Sequence, residues 1–328
     1  MKIFNRRNFI KSGLLSTVPI FSRTDSKSSD TININDTNLI NGFLNIKLFG
    51  AKGNNTDDTL AFKRALDYLH SGNGGSLYIP SGNYLVDPGT LILLKPCKIF
   101  GDGKSSKITP TNINTTKKNI DGGVCFEIKS NSCIIEDLEI NNFSVAIKWD
   151  EKQQININRC HLYQNQIGIL CENAYINTIS NNYITFNSVG IVAISQSFQL
   201  LIINNVIDNN ISYNEKGGVG ILLSGSTGCE IRSNTIEGNR NINNGIGCGI
   251  YITGVCSSLN IVGNWFEVNY EKGKENTKYS VDIYCSNGIK AENDNFQNNL
   301  RNALFPKDLI IISLGTAYGS INIRDNCH

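Results

Sequence analysis

From about residue 133 onward, aliphatic residues and asparagines recur in a fixed order along the chain. The order is an aliphatic residue, two residues, Asn, one residue, Ile or Phe, two residues and a second Asn, as in residues 179–187. The alternation is strand-like, uses β-branched residues and lacks a 3.6-residue period. Each copy therefore predicts two short strands joined at the first Asn. We call this Asn position 4 of the pattern and the second Asn position 9.

Copies of the pattern return along the rest of the chain. Their position-4 residues are Leu138, Cys160, Asn182, Asn205, Asn234, Asn264, Asp294 and Asn326. A spacing that grows from the low twenties to about thirty residues indicates a solenoid, and the leucine ladder of leucine-rich repeats is absent. We therefore predict an all-β fold, a right-handed parallel β-helix with three strands per coil. One stacked line should run through Asn182, Asn205, Asn234 and Asn264.

A third element follows position 9 and predicts the third strand of each coil. Its predicted inward column is Ile147, Ile169, Ile191, Ile221, Ile250 and Val281. In the longer copies the added residues enter between position 9 and this strand, at about 211–218, 240–247, 270–279 and 300–308. Four consecutive loops on one edge can wall a groove, and loops on a rigid scaffold commonly carry function. Neutral variation of surface loops is the alternative.

The N-terminal segment carries an export-like pattern. Arg6, Arg7, Phe9, Ile10 and Lys11 resemble a twin-arginine signal, and a moderately apolar stretch follows them. We therefore expect a signal over residues 1–23, a flexible linker over 24–40 and the β-helix over 41–328. The expected location is periplasmic or secreted, with the twin-arginine export machinery as a partner. A clear small-residue cleavage site is missing, so an uncleaved membrane anchor is the alternative.

Composition narrows the function classes. Hydrophobic residues make up 40% of the chain and charged residues 18%, which excludes a disordered protein. The formal charge of the whole chain is +2. Residues 24–328 contain 25 basic and 28 acidic residues, so their charge is −3. Without a basic block, nucleic acid is not an expected partner.

The ten cysteines contain no CxxC pair, and we expect mostly free, buried thiols, with disulfides as the alternative.

Three segments, 45–66, 74–84 and 99–103, carry motifs outside the repeat. Together they resemble the pectate-lyase-like superfamily, and more narrowly its rhamnogalacturonases, polygalacturonase-related hydrolases, sugar epimerases and phage tailspikes. The resemblance implies a β-helix over 45–328, closed at one end by a helix that Thr56 or Asp57 caps. The apolar face of that helix would be Leu60, Phe62, Ala65, Leu66 and Leu69. The family's Gly-His-Gly, Arg-Ile-Lys and Asp-Pro-His motifs are absent, so the reaction type is not implied.

The strand between positions 4 and 9 offers candidate catalytic acids. Outward residues at equivalent positions of adjacent coils lie about 4.8 Å apart. The column at position 7 reads Asn141, Tyr163, Thr185, Asp208, Glu237, Glu267 and Gln297. Like charges so close raise one pKa, which provides the acid and base that glycoside hydrolysis needs. We predict Asp208, Glu237 and Glu267 as catalytic. No cofactor is required, although the same oxygens could hold Ca²⁺; a solvated acidic face is the alternative.

Aromatic rings on outward positions could stack on sugar faces. Position 5 supplies His161, Tyr183 and Trp265, and the third strand supplies Tyr251 near the long loops. We predict these four residues as substrate-binding, with ordinary surface residues as the alternative. The third strand also carries Asp282, which we predict as a fourth catalytic acid. Asp150 and Glu172, on adjacent coils of that strand, are the next pair to test.

These residues favour an exported carbohydrate-active enzyme that acts on a polysaccharide. Hydrolysis is favoured over β-elimination or epimerisation of a uronate, because elimination needs a base and a cation that neutralises the carboxyl. Six arginines after residue 23 are few for that task. The alternative from another class is a non-catalytic β-helix that binds glycans or mediates surface adhesion. The sequence does not identify the glycan.

Overall fold

The computed structural model describes residues 42–112, 115–116, 119–120, 122–214, 217–243, 245, 247–271, 282–285, 294–297, 300–301 and 321–324. The predicted signal (1–23), the predicted linker (24–40), and most of the predicted loops at 270–279 and 300–308 lie outside these residues. Within the described ranges, no helix combines the length and apolarity needed to cross a membrane.

Three lines of parallel strands build the coil, and we call them sheets A, B and C in chain order. Sheet A contains Leu44–Asn45, Gly75–Ile79, the first parts of Cys97–Pro110 and Ile134–Asn141, Asn156–Asn158, Thr178–Ser180, Leu201–Ile203, Glu230–Arg232, Asn260–Val262, Asp294–Gln297 and Ile321–Arg324. Sheet B contains Asn54–Asp57, Gly82–Val86, the second parts of the two long strands, His161–Tyr163, Tyr183–Thr185, Val206–Asp208, Thr235–Glu237, Trp265–Glu267 and Leu300–Arg301. Sheet C contains Leu91–Leu93, Val124–Ile128, Val145–Asp150, Ile167–Glu172, Val189–Ile194, Val219–Ser224, Cys248–Thr253 and Ile283–Cys285.

Neighbouring coils pair in register on all three sheets. On successive coils Ile157 pairs with Ile179 in sheet A, and Ile169 pairs with Ile191 in sheet C. The predicted right-handed parallel β-helix with three strands per coil is confirmed. The loops after sheet B begin as a small parallel sheet of Ile211–Ser212, Arg240–Asn241 and Tyr270–Glu271. A short antiparallel pair joins Thr115–Thr116 to Asn119–Ile120.

The interior combines aliphatic columns with asparagine ladders. Asn182 Nδ2 donates to Asn205 Oδ1 at 3.0 Å, and the same bond links Asn205 to Asn234 and Asn234 to Asn264. The predicted stack is therefore confirmed. A second ladder runs at position 9 through Asn165, Asn187, Asn210, Asn239 and Asn269. An amide carries both a donor and an acceptor, so identical side chains can pair along the stack without leaving a buried polar group unpaired.

The thiols belong to this interior. Eight cysteines of the described strands and turns are buried, as predicted: Cys97, Cys125, Cys133, Cys160, Cys171, Cys229, Cys248 and Cys256. A thiol packs as a small apolar group, so these residues fill the core between the aliphatic columns.

A 3₁₀ helix, Ile46–Phe49, and an α-helix, Thr59–Ser71, close the N-terminal end. The predicted apolar face is buried at Phe62, Ala65, Leu66 and Leu69. The prediction for Leu60 is wrong, since its side chain is 59% exposed and Ala61 faces the core instead. The N-cap is Asp58 rather than the predicted Thr56 or Asp57, and its side chain makes no capping bond. Asp57 Oδ1 accepts from the Thr59 backbone N–H at 2.9 Å and so still binds the first turn.

The copy predicted with Asp294 at position 4 is one strand out of register. Phe296 pairs with Ile261 in sheet A, and Leu300 pairs with Trp265 in sheet B. Gln297 therefore lies outside the position-7 column, and Leu300–Arg301 is a strand rather than the start of a loop. The reason is that aliphatic-x-x-Asn occurs twice in each copy, so a shift of five residues preserves the pattern.

Candidate functional site

The predicted acids stack on the outer face of sheet B. Thr185 pairs with Asp208, Asp208 with Glu237, and Glu237 with Glu267 on successive coils. The residue that precedes each acid on its strand, Ile207, Ile236 or Phe266, is buried in the core. Because strand side chains alternate, this burial turns the acids outward, where they are partly exposed. We call Asp208, Glu237 and Glu267 the acidic column.

Glu237 occupies the middle of the acidic column. Burial raises its pKa, and the charges of Glu267 and Asp208 raise it further. Glu267 accepts a hydrogen bond from the indole Nε1 of Trp265 at 3.2 Å. The column therefore places an acid with a raised pKa between two further carboxylates, the arrangement on which an acid and base pair depends.

Asp208 uses its two oxygens differently. Oδ2 accepts from Asn209 Nδ2 at 3.2 Å and from the Tyr183 hydroxyl at 3.4 Å. Oδ1 is buried and has no hydrogen-bond partner among the described residues, and the same holds for Oγ1 of Thr185 on the preceding coil. The two residues lie at equivalent positions of adjacent coils, on paired strands of sheet B.

A second charged group lies on earlier coils of the same face. Glu139 is 7% exposed, and its carboxylate contacts Lys107 Nζ at 2.9 Å and His161 Nδ1 at 2.9 Å. Asn141 Nδ2 donates to the same carboxylate at 3.0 Å. Burial opposes ionisation of Glu139, but the hydrogen bonds from His161 and Lys107 outweigh it and lower its pKa to about 2. Glu139 therefore fixes the orientation of the imidazole.

Aromatic rings connect His161 to the acidic column. The His161 ring centre lies 5.4 Å from that of Tyr163 and 5.3 Å from that of Tyr183. Lys104 Nζ lies 4.7 Å from the Tyr183 ring centre. Burial and the charge of Asp208 raise the pKa of Tyr183, so its hydroxyl stays protonated and can donate. One continuous strip on sheet B thus carries cations, an imidazole, phenols and carboxylates.

The structure brings six of the eight predicted site residues onto this strip: Asp208, Glu237, Glu267, His161, Tyr183 and Trp265. Tyr251 lies on sheet C instead, with its ring centre 5.3 Å from that of Tyr284. The pair held in reserve, Asp150 and Glu172, is also on sheet C, where Lys148 Nζ lies 3.4 Å from Glu172 Oε2.

The prediction that Asp282 faces outward is wrong. Its side chain is 1% exposed, and Oδ1 accepts from Asn269 Nδ2 at 3.3 Å, next to the position-9 ladder. Ile250 pairs with Ile283, so Ile283 continues the inward column of sheet C and Asp282 aligns with Gly249. The predicted member Val281 lies outside the described residues. At this corner the backbone turns and consecutive residues are buried, so the alternation of a straight strand does not hold.

Two lysines of the strip, Lys104 and Lys107, were not predicted. They lie on Cys97–Pro110, one coil before the first copy of the pattern. The available signal was the dipeptide Lys107-Ile108, which aligns with Glu139-Ile140 on the next coil. Across the part of the chain that the structure describes, no group of three or more His, Cys, Asp and Glu side chains is placed to hold a metal ion.

Comparison with protein families identifies a match over residues 97–288 to the family described as periplasmic copper-binding protein (NosD). Curated relatives match short segments. Alginate lyase 7 from Azotobacter vinelandii is 41% identical over 71 residues, which is 20% of this chain and 8% of that protein. Mannuronan C5-epimerase AlgE1 from the same organism is 46% identical over 46 residues, 14% of this chain and 3% of the epimerase.

Solved structures share the fold along most of the chain. The A-module of mannuronan C-5 epimerase AlgE4 from A. vinelandii has a TM-score of 0.53 at 15% identity, covering 87% of this chain and 95% of its own. The enzymatically active domain of bacteriophage CBA120 tailspike protein 2 has a TM-score of 0.55 at 15% identity, covering 88% and 46%. DFA-IIIase from Arthrobacter chlorophenolicus A6 has a TM-score of 0.50 at 11% identity, covering 85% and 87%.

Proposed function

This chain belongs to the family described as periplasmic copper-binding protein (NosD), and from the acidic column of its sheet B we propose that it is an enzyme that hydrolyses a polysaccharide. The family description is periplasmic, which agrees with the location expected from the N-terminal pattern. Copper binding requires suitable metal ligands, whereas polysaccharide hydrolysis requires paired carboxylic acids, so the side chains of the chain decide between the two.

The described residues do not fit a copper centre. Copper sites in proteins use thiolate, thioether or imidazole ligands. Burial raises the pKa of six core cysteines, which disfavours the thiolate: Cys97, Cys125, Cys133, Cys160, Cys171 and Cys229. Of the two described histidines, His161 is bound to Glu139, and His70 Nε2 accepts from the Leu94 backbone N–H at 3.1 Å. The proposed chemistry therefore uses the carboxylates rather than copper.

The observation that carries the proposal is the stack of Asp208, Glu237 and Glu267 on paired strands, which raises the pKa of Glu237. A protonated Glu237 can donate its proton to the glycosidic oxygen while the bond to the anomeric carbon breaks. Asp208 or Glu267 lies one coil away, at a backbone spacing of about 4.8 Å. Glycosidases that retain configuration hold their carboxyl groups about 5 to 5.5 Å apart. We therefore expect the neighbouring carboxylate to attack the anomeric carbon, water to release the sugar, and the configuration to be retained.

The surroundings of the acids suit a sugar chain. Tyr183 is 36% exposed and Trp265 is 37% exposed on the same face, so both rings can pack against the apolar face of a sugar. The names of two curated relatives, an alginate lyase and a mannuronan epimerase, support a carbohydrate substrate class.

A second candidate reaction is β-elimination or epimerisation of a uronate, favoured by the pairing of His161 with Glu139. Because Nδ1 faces the carboxylate, Nε2 is the nitrogen that can take a proton from the sugar. Lys104 lies beside Tyr183, so it could neutralise the uronate carboxyl while the Tyr183 hydroxyl protonates the leaving oxygen. In this candidate the acids of the later coils would have no catalytic role.

A screen of the full chain against a panel of neutral and uronate polysaccharides separates these candidates. New reducing ends without ultraviolet absorbance support hydrolysis, whereas unsaturated products support elimination. Binding without any product would favour the non-catalytic alternative, a glycan-binding or adhesion protein. Hydrolysis by two carboxylates needs no metal, so we expect activity to survive EGTA. Loss of activity in EGTA would instead support the alternative in which the acidic column holds Ca²⁺.

A further inference from the structure

A cleft lies at the corner where the chain leaves sheet C of one coil and enters sheet A of the next. Its volume is about 650 Å³, within the range of about 300 to 1,000 Å³ that is common for small-molecule sites. None of the strip residues on sheet B lines it. The cleft is therefore separate from the site of the proposed hydrolysis.

The cleft follows from the lengths of three consecutive turns. At this corner Phe198 pairs with Thr227, and Thr227 pairs with Ser257. Ile194, Ser224 and Thr253 are equivalent strand ends on three successive coils. Thr227 follows Ser224 by three residues, whereas Phe198 follows Ile194 by four and Ser257 follows Thr253 by four. The turn before Thr227 is one residue shorter than the turns on both sides, so the surface is recessed there.

Two glycines keep the recess open. Gly225 and Gly254 both have φ of 67°, a left-handed conformation that side chains rarely adopt. A Cβ atom on Gly254 would lie 3.1 Å from Ser224 Oγ, tighter than an ordinary contact. Side chains at these turns would therefore cost backbone strain and reduce the cleft.

The walls of the cleft combine apolar and uncharged polar groups. Phe198 stands on one side, with its ring stacked on Tyr175 at a centroid distance of 5.5 Å and an interplanar angle of 15°. Val255, 62% exposed, stands on the other side. The polar groups between them come from Ser195, Gln196, Ser224 and Thr227. The lining, all of which lies in the described part of the chain, includes no ionisable side chain.

We propose that this cleft is a second saccharide site, which binds an uncharged sugar unit. A sugar ring has an apolar C–H face that suits Phe198 and Val255, and hydroxyl groups that suit the Ser, Thr and Gln side chains. A uronate would bring a negative charge into a site without a cation to pair with it. The lining of the cleft is independent of the acidic column, so the cleft can bind a sugar in an enzyme and in a non-catalytic glycan-binding protein alike.

Saturation-transfer NMR on the full chain tests this site with cellotriose, maltotriose, xylotriose and trigalacturonate. We expect at least one neutral trisaccharide to bind and trigalacturonate to bind at least tenfold more weakly at this site. Phe198→Ala removes the apolar wall, and Gln196→Ala removes an exposed polar group at no expected cost to folding. Thr227→Phe extends the Tyr175–Phe198 stack into the recess and fills it. We expect Phe198→Ala and Thr227→Phe each to weaken binding at least tenfold, and Gln196→Ala to weaken it measurably.

Two control variants separate this site from the proposed active site. Leu60→Ala changes an exposed apolar residue on the N-terminal helix, and Glu237→Gln changes the acidic column. Both should bind the trisaccharide as the wild type does, whatever their activity. The inference is overturned if no neutral trisaccharide binds, or if binding persists in Phe198→Ala, Gln196→Ala and Thr227→Phe alike. It is also overturned if Glu237→Gln abolishes binding, since the sugar then occupies sheet B.

Discussion

Nδ1 of His161 lies 2.9 Å from Oε2 of Glu139, one coil earlier on sheet B. The carboxylate also contacts Lys107, and its pKa is lowered from 4.5 to about 2. A carboxyl group with a lowered folded-state pKa stabilises the protein above its unfolded pKa, and this stability is lost as pH falls through the folded value. The contribution of Glu139 should therefore be complete above about pH 5 and fade between about pH 4.5 and 2.

We predict that Glu139→Gln lowers the free energy of unfolding by about 2 to 3 kcal/mol at pH 7 and by much less near pH 2. Urea denaturation followed by circular dichroism across this pH range measures both values. Glu151→Gln is the matched control, because Glu151 is exposed at a nearby turn. Parallel pH curves for wild type and Glu139→Gln would contradict the account of this carboxylate.

The position-4 ladder gives a prediction about stability. Asn205 is 1% exposed, accepts from the Asn182 backbone N–H at 2.9 Å, and donates to the Ile179 carbonyl at 2.9 Å. Asn205→Ala would leave several buried polar groups unpaired, at about 1 to 3 kcal/mol each. We expect a loss of about 3 kcal/mol or more in unfolding free energy. The control is Asn204→Gly, since Asn204 is exposed at φ 56° and glycine tolerates that conformation. Similar losses in the two variants would contradict a specific role for the ladder.

The acidic column gives a prediction about pH dependence. If Glu237 is the general acid, the rate falls as pH rises through its pKa, which neighbouring carboxylates raise. Removing one like charge by Glu267→Gln should lower that pKa and move the alkaline limb of kcat/KM to lower pH. The measurement is a pH profile on a confirmed substrate, using the residual rate of the variant. An unmoved limb would show that Glu237 does not control it.

The sequence was sufficient to predict the fold, because inward isoleucines and asparagines must repeat in register when coils stack. The sequence was insufficient to predict the register where the two halves of the pattern are alike. Around Phe296 the run from Phe296 to Asn299 fits either half of the pattern, so strand pairing decides the register. At Asp282 the alternation of a straight strand fails, because the chain turns a corner there.

The candidate site was predictable in part. The acidic column follows from alternation on a regular strand, so Asp208, Glu237 and Glu267 could be aligned from spacing alone. The ion pairs that Glu139 makes with Lys107 and His161 could not be predicted, because Lys107 belongs to a coil without an Asn at position 4. The raised pKa of Glu237 also depends on burial, which spacing does not report.

The export prediction concerns residues outside the described structure. Replacing Arg6 and Arg7 by lysine keeps the positive charge but removes the paired arginines of the signal. We expect the variant to stay in the cytoplasm, measured by fractionation and immunoblotting of a tagged chain. A variant of Lys2 alone serves as the control and should be exported. Normal export of the double-lysine variant would show that another signal directs the protein.

The central claim is that Glu237 acts as a general acid in polysaccharide hydrolysis, and one comparison tests it most directly. The measurement is kcat/KM for reducing-end release by wild type, Glu237→Gln and Glu230→Gln, together with their thermal midpoints. Glu230 lies on the same coil but on sheet A, beside Arg232. We predict a loss of at least about 100-fold for Glu237→Gln, little change for Glu230→Gln, and similar midpoints for all three. Equal activity of Glu237→Gln and wild type on a confirmed substrate would contradict the claim.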